Sequence, residues 1–480
     1  MQRLIAMTSA LTMAAALPVM AQNLAEIGFE ESGWQRTAGT APAPDGLLVD
    51  FKDNLDDEEI DALGRELGVT FTETADVFAG NRYEIHGMGL DEAKHILDGR
   101  DEIESVEWNV QYSLFRVDTA DEDDEDPEQA KPNTRPNDPM YKSQWHFEMV
   151  NAEAAWQTSQ GDGVIVAVID TGVSPGTLKN GNKSRFKRVP DLGKTAFHEG
   201  YNFVNNNADP SDGNGHGTHV AGTISQSTNN NMGVAGLAYK STIMPIKVLS
   251  DRGFGSVGDI ANGIRYAADN GAKVINMSLG GGMYSATLAR AVKYAHGKGV
   301  FLACAAGNGG REKVEYPAKY PGCTAVSGLG PDGKLAFYSS YGKELAIAAP
   351  GGDTRVDLNK DGIPDGVLQD TIARGDPSKH GYFPFQGTSM ATPHVAAGAA
   401  LVMATGVTDP DKVEKILRGS AKKLNDATRY GSGGLDAAAA VKKASHDKSF
   451  FALGITALLG FALLRTRKKL GSTGTTVKPG

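Results

Sequence analysis

Four short stretches of the 480-residue chain carry side chains able to do acid–base and nucleophilic chemistry. VIVAVIDTGV ends an apolar run in Asp170, and GNGHGTHVAGTI sets His216 among glycines. VFLACAAGNGG ends another apolar run in Asn308, and GTSMATPH places Ser389 at the mouth of the small apolar segment VAAGAALVMATG. Each has an ordinary structural reading alone: a capping carboxylate, a packed histidine, a turn asparagine, a helix cap. Together they supply one chemistry. A serine is a weak nucleophile until a base takes its proton, and the imidazolium so formed needs a buried carboxylate beside it. An asparagine amide at a strand end can donate to a developing oxyanion. A serine at a helix N-terminus adds its own N–H to the same space, and Pro393 is expected in the first helical turn, where a missing N–H costs little.

Some chemistries are excluded. His216 and His219 have H-x-x-H spacing, but no glutamate lies between them and no third soft ligand accompanies them, which argues against zinc. On chemistry alone either histidine can be the base, the second being the better candidate for packing inside a helix. The serine block is not the G-x-S-x-G elbow of the α/β-hydrolases, which disfavours a lipase or esterase.

The blocks DTG, HGTHVAG, AAGN and GTSMATPHVAG resemble the signatures of the subtilisin-like serine proteases (peptidase S8) over about residues 137–445, in the matching order Asp, His, Ser. The resemblance implies an endopeptidase in which Asp170 orients, His216 is general base and acid, and Ser389 is the nucleophile. Asn308 and the Ser389 N–H would form the oxyanion hole. It further implies that Ser278, Leu279 and Gly280, with Gly253 and Gly255, pair with an extended protein or peptide substrate, a form of β-augmentation. Gly307 belongs to the same substrate-binding set. Glu315, just before Tyr316-Pro317, matches the pocket floor and tilts the expectation toward Lys or Arg before the scissile bond.

Two loops suggest calcium. DLNKDGIPDG (357–366) has Asp357, Asn359, Asp361 and Asp365 around Gly362 in a D-x-N-x-D-G pattern, although Leu368 stands where an EF-hand has its bidentate glutamate. TNNNMGVAG (228–236) resembles the family's calcium loop, with Asn230 as a ligand and Asp138 as a distant one. Asn205, Asn207 and Asp209 form a looser third group.

The elements that must position these residues are legible as patterns. Between 137 and 445, continuous apolar strands alternate with helical segments such as VGDIANGIRYAADNG and SATLARAVKYAHGKG. That predicts an α/β fold, subtilisin-like and three-layered by resemblance, whose mainly parallel sheet is covered on both faces and bears its site at the strand carboxyl ends. Before it, residues 46–115 read as βαββαβ, a small α+β domain similar to the family's inhibitor I9-like propeptides, which assist folding and inhibit until self-cleaved. The propeptide is taken as 22–117. An acidic, proline-rich linker follows at 118–136, with maturation cleavage expected within 110–136.

The ends point outside the cell. Residues 1–21 read as a signal peptide cut after Ala21. FFALGITALLGFALL, within a hydrophobic segment at 449–464, is short of the usual ~20 residues for a span. It is followed by a tail (465–480) bearing Arg465, Arg467, Lys468 and Lys469, as in a stop-transfer anchor or a removable sorting signal. The expectation is a protein exported to periplasm, cell surface or medium, with membrane attachment through this segment. The net charge of −10 disfavours nucleic acid as a partner. Only Cys304 and Cys323 are available for a disulfide, and one buried bridge or two core thiols both fit. The rival reading is a catalytically silent, membrane-anchored binding or folding module.

Overall fold

The computed structural model describes residues 46–52, 55, 57–73, 82–86, 89–115, 118–119, 135–174, 189–281, 283–373 and 376–446. The leader, most of the linker and the 449–464 segment lie outside them. Among the described residues no helix is long and apolar enough to cross a membrane.

The alternation in GLLVDF builds the first strand. β1 (Gly46–Phe51) turns Leu47, Val49 and Phe51 into a small core with Ile60, Leu63, Phe71, Tyr83 and Ile85. Helix α1 (Asp57–Leu67), strands β2 (Thr72–Glu73) and β3 (Arg82–His86), helix α2 (Leu90–Leu97) and strand β4 (Ile103–Trp108) complete the unit. Its four strands run β2-β3-β1-β4, all antiparallel. Leu48, on the opposite face of β1, joins the core of the larger region instead.

Two short strands follow that the sequence patterns do not announce. These are β5 (Gln111–Leu114) and β6 (Asp118–Thr119). Two residues assigned to the linker are therefore paired, because an open strand edge elsewhere accepts their backbone.

The larger region is built on parallel strands. In chain order they are β7 (Ile165–Asp170), β8 (Ala196–Phe197), β9 (Tyr201–Asn202) and β10 (Thr242–Lys247). Then come β12 (Val274–Met277), β14 (Phe301–Ala305), β15 (Cys323–Leu329) and β16 (Ile347–Pro350), while β11 (Phe254–Ser256) and β13 (Leu279–Gly280) pair antiparallel with β5 outside this sheet. Seven run β16-β15-β14-β12-β7-β10-β8, with β9 also on β10. Every ladder in this sheet is parallel. Side chains alternate along β7, so Val166 and Val168 enter one core while Ala167 and Ile169 enter the other. The first core is covered by α3 (His216–Ser225) and the second by α4 (Val257–Asp269) and α5 (Ala286–Gly297). A hairpin of β17 (Val367–Ala373) and β18 (Asp376–Gln386) then leads into α6 (Thr388–Ala404), which crosses the first core with Val395 and Leu401. Cys304 and Cys323 form a disulfide between neighbouring strands β14 and β15.

Candidate active site

Asp170 is the last residue of β7, and its carboxylate is fully buried. Its Oδ1 accepts from His216 Nδ1 at 2.8 Å and from the Thr171 N–H at 2.7 Å. Gly217 permits that approach. A Cβ there would lie 2.1 Å from the Gly172 carbonyl and 3.1 Å from the Asp170 Cβ, so any side chain would push the helix away. With its Nδ1 proton held by the carboxylate, the His216 ring presents Nε2 as an acceptor, and this atom is buried without a partner among the described residues.

His219 sits differently. Its Nε2 bonds to the carbonyls of Val367 and Phe383, and its ring stacks 4.2 Å from that of Phe385. Burial pushes its pKa down to about 3. It is a core histidine, which separates the two candidates that spacing alone left open.

Ser389 is the second residue of α6, and its Oγ donates to the Ser278 carbonyl at 3.1 Å. Pro393 is not in the first turn as expected but sixth in the helix. Its missing N–H would leave the Ser389 carbonyl without its helical donor. The Ser278 Oγ fills that place, donating to Ser389 O at 2.8 Å while accepting from Asn276 Nδ2 at 2.9 Å. Ser278 thus grips the Ser389 turn by both its hydroxyl and its backbone.

Asn308 follows β14. Its Oδ1 accepts from the Thr388 N–H at 2.9 Å and from Thr388 Oγ1 at 2.8 Å, which sets the amide plane. Nδ2 then faces the turn before Ser389, where a Cβ on Gly387 would lie 3.0 Å away.

Strand β5 lies between β11 and β13, antiparallel to both. Gly255 pairs with Tyr112, Gly280 with Ser113 and Leu279 with Leu114, and the Leu114 N–H donates to Gly253 O at 3.0 Å. Phe115 is 8% exposed, and its ring lies so close to Gly280 that a Cβ there would be 2.1 Å from it. Glu315 packs against Gly307, where a Cβ would meet its carboxyl-bearing carbons at 3.1 Å. Burial raises the Glu315 carboxyl above its usual range, opposed by Lys313 and Arg311. Farther along, Asp118 pairs with Gln386 and Thr119 with Phe385, three and four residues before Ser389. The strands expected to take a substrate are thus occupied by the chain's own segment.

The sequence profile described as the subtilase family (peptidase S8) matches residues 161–434, more than half of the chain. The chain belongs to the subtilase family. It is 36% identical over 301 residues to thermitase of Thermoactinomyces vulgaris, covering 62% of this chain and 96% of that protein. It is 38% identical over 300 residues to subtilisin Savinase of Lederbergia lenta, covering 62% and 98%. The solved structure of fervidolysin from Fervidobacterium pennivorans, described as a keratinolytic enzyme related to subtilisin, superposes with a TM-score of 0.68 at 26% identity, over 83% of this chain and 61% of that one. This subtilase is a serine endopeptidase.

The loops considered for calcium fare unequally. In this subtilase Asp138 accepts the N–H groups of Asn229 and Asn230, and Asn230 Nδ2 donates to Asp191 Oδ1 at 2.6 Å. Asp191, which sequence reading missed, is fully buried, and burial pushes its carboxyl up to about 7. The two buried carboxylates beside this loop are hard oxygen donors that suit calcium, while Asn230 turns Nδ2 to Asp191 and Oδ1 to the Met232 N–H. At 357–365 the side chains turn onto their own loop: Asp357 takes the N–H groups of Lys360 and Gly362, Asp361 that of Ile363, and Asn359 that of Asp361. Asp365 Oδ2 takes the Leu358 N–H, and its carboxyl is raised by burial and then by Asp357 and Asp361. Asn207 and Asp209 likewise accept from their own turn, and the Asn205 N–H donates to Asn202 Oδ1. Among the described residues no three His, Cys, Asp or Glu side chains converge as an ion cage.

Proposed function

We propose that the chain is an exported, calcium-stabilised endopeptidase made as a self-processing zymogen, acting through Asp170, His216 and Ser389. The observation that carries this is the chain's own β5, lying as an extended peptide between β11 and β13 with Phe115 against Gly280. Phe115 lies against Gly280, and Asp118 and Thr119 pair with Gln386 and Phe385, three and four residues before Ser389. The bond on the carboxyl side of Phe115 is the first substrate of the enzyme.

In the reaction, Ser389 Oγ leaves the Ser278 carbonyl and attacks the scissile carbonyl carbon, giving its proton to His216 Nε2. Asp170, 2.8 Å from Nδ1, holds the ring and steadies the imidazolium. Asn308 Nδ2 and the Ser389 N–H receive the oxyanion, and His216 returns the proton to the leaving amine. Water then repeats the sequence on the acyl-enzyme. In the precursor the Ser389 hydroxyl points elsewhere; such bonds tighten only when the reacting geometry is reached.

Phe115 favours an aromatic residue before the scissile bond, and Glu315 supports a second preference, for Lys or Arg, that grows with pH as its raised carboxyl ionises. Calcium would be held by Asp138, Asp191 and Asn230 and would supply the positive charge those buried carboxylates lack; Asp357, Asn359, Asp361 and Asp365 form the second proposed site. The leader and the hydrophobic tail support export and membrane attachment.

A serine-directed fluorophosphonate, applied with and without chelator, tests this reading. The expected result is stoichiometric labelling of Ser389 in the mature protein, hydrolysis of denatured casein, and faster thermal inactivation once calcium is removed. Absence of both label and hydrolysis in the calcium-loaded protein would overturn it.

A further inference from the structure

Asp212 lies just upstream of His216, is completely buried, and has no part in the chemistry described above. Its oxygens collect five donors. Oδ1 accepts from Thr171 Oγ1 at 2.9 Å, from the Asn214 N–H at 2.8 Å and from the Gly215 N–H at 3.0 Å. Oδ2 accepts from the Thr218 N–H at 3.0 Å and from Thr218 Oγ1 at 2.7 Å. One carboxylate therefore ties the residue after Asp170 to the first turn of the helix that carries His216.

Thr171 makes the tie direct. While its hydroxyl donates to Asp212, it accepts the Gly217 N–H at 3.0 Å. Beneath the same turn lies Lys247, the residue paired with Asp170 across β10 and β7, whose side chain is 4% exposed. Its ammonium donates to the Thr171 carbonyl at 2.5 Å and to Asp251 Oδ1 at 2.9 Å. Burial raises the Asp212 carboxyl, and the Lys247 charge opposes that rise. The turn is thus held from its hydroxyl by an anion and from its carbonyl by a cation, both shielded from water and so weakly screened.

We propose that Asp212, acting through the Thr171 hydroxyl, is a positioning residue that sets the spacing of Asp170 and His216 during turnover. Proton transfer at His216 needs that spacing held, and an error on the order of 1 Å costs about a hundredfold in rate. Neither an amide nor an apolar group serves in its place. All five contacts at Asp212 are donors, so the Nδ2 of an asparagine would face an N–H or a hydroxyl. Among the described residues, neither Thr171 nor Asp212 hydrogen-bonds to the substrate strands β11 and β13, so the effect belongs in kcat rather than in KM.

This inference rests on the proposed triad, and its test separates the two. Mature enzyme is prepared from full-length chains carrying Thr171→Val, Thr171→Ser or Asp212→Asn, and active sites are counted by fluorophosphonate titration. Thr171→Val keeps the shape but loses both hydroxyl bonds, and Thr171→Ser keeps them. The expected result is a fall in kcat of about tenfold or more for Thr171→Val and Asp212→Asn, with KM within about twofold, and recovery of kcat in Thr171→Ser. Where Thr171→Val does not mature, Thr171→Ala is read in the same way. A Thr171→Val or Thr171→Ala enzyme with lowered melting temperature but wild-type kcat overturns the inference, since the network would then be structural only. A wild-type enzyme that hydrolyses no protein would sink the triad reading instead.

Discussion

Asp170, His216 and Ser389 come from three elements far apart in sequence, and small neighbours place them and Asn308. Gly217 lets the helix reach Asp170, Thr388 orients the Asn308 amide, and Ser278 holds the Ser389 turn. The motifs single out the side chains proposed for the chemistry, because their types and order are distinctive. They do not reveal the supports. Asp191 and Asp212 read as ordinary loop acids, since what sets them apart is a set of donors supplied by folding: Asn230 and Val234 for the one, Thr171 and Thr218 for the other. At this scale Asn308→Ala removes one proposed oxyanion donor while leaving the proposed triad intact. We expect kcat to fall by about 10²–10³-fold with little change in KM, from steady-state kinetics on a peptide ending in Tyr-Ser-Leu-Phe before the scissile bond.

At the scale of elements, the continuous apolar strands and the periodic helices are legible because a sheet buried on both faces leaves no choice of residue type. Pro393 is the instructive exception. Sequence rules place a proline in the first turn, but here the carbonyl it orphans is capped by Ser278 from another strand, a contact no local rule foresees. The junction between the N-terminal unit and the larger region is equally illegible, since β5 shows only a short run with no partner nearby in sequence. That junction is polar as well as apolar. Glu107 accepts the N–H groups of Ala286 and Thr287 at 2.8 Å each, capping α5 from outside, and Arg290 pairs with Asp50 at 2.6 Å. A carboxylate at a helix N-terminus is worth up to about 2 kcal/mol when partly buried. Glu107→Ala in an uncleavable Ser389→Ala precursor should lower stability by about 1–2 kcal/mol in urea unfolding, whereas an unchanged midpoint would remove the cap from the account.

Over the whole molecule, the first core conceals three fully buried histidines, His146, His219 and His394. His146 Nδ1 and His394 Nε2 lie 2.9 Å apart; His394 Nδ1 donates to the Met390 carbonyl, so its Nε2 accepts from His146, which requires the His394 ring to be neutral. Burial holds His146 well below its ordinary value, His219 at about 3 and His394 at about 4. Their folded-state values lie below the unfolded ~6.5, so the stability linked to them is full above that pH and is lost as pH falls from about 6.5 toward 4 for His394 and toward 3 for His219. Each contributes at most about 1.4 kcal/mol per pH unit across that window. The urea midpoint should therefore drop between pH 7 and pH 5, and His146→Gln should make the drop shallower; an equally steep drop in that variant would assign the acid sensitivity elsewhere.

The most direct test of the central claim is the mature N-terminus. Intact mass and N-terminal sequencing of the purified protein, wild type beside Ser389→Ala, report whether the chain cuts itself and where. The account predicts a wild-type chain beginning at Arg116, immediately after Phe115, and a Ser389→Ala chain that keeps β5 in the cleft uncut. Cleavage of both chains at the same bond, or of neither, would contradict self-processing and return the silent-module reading to the front.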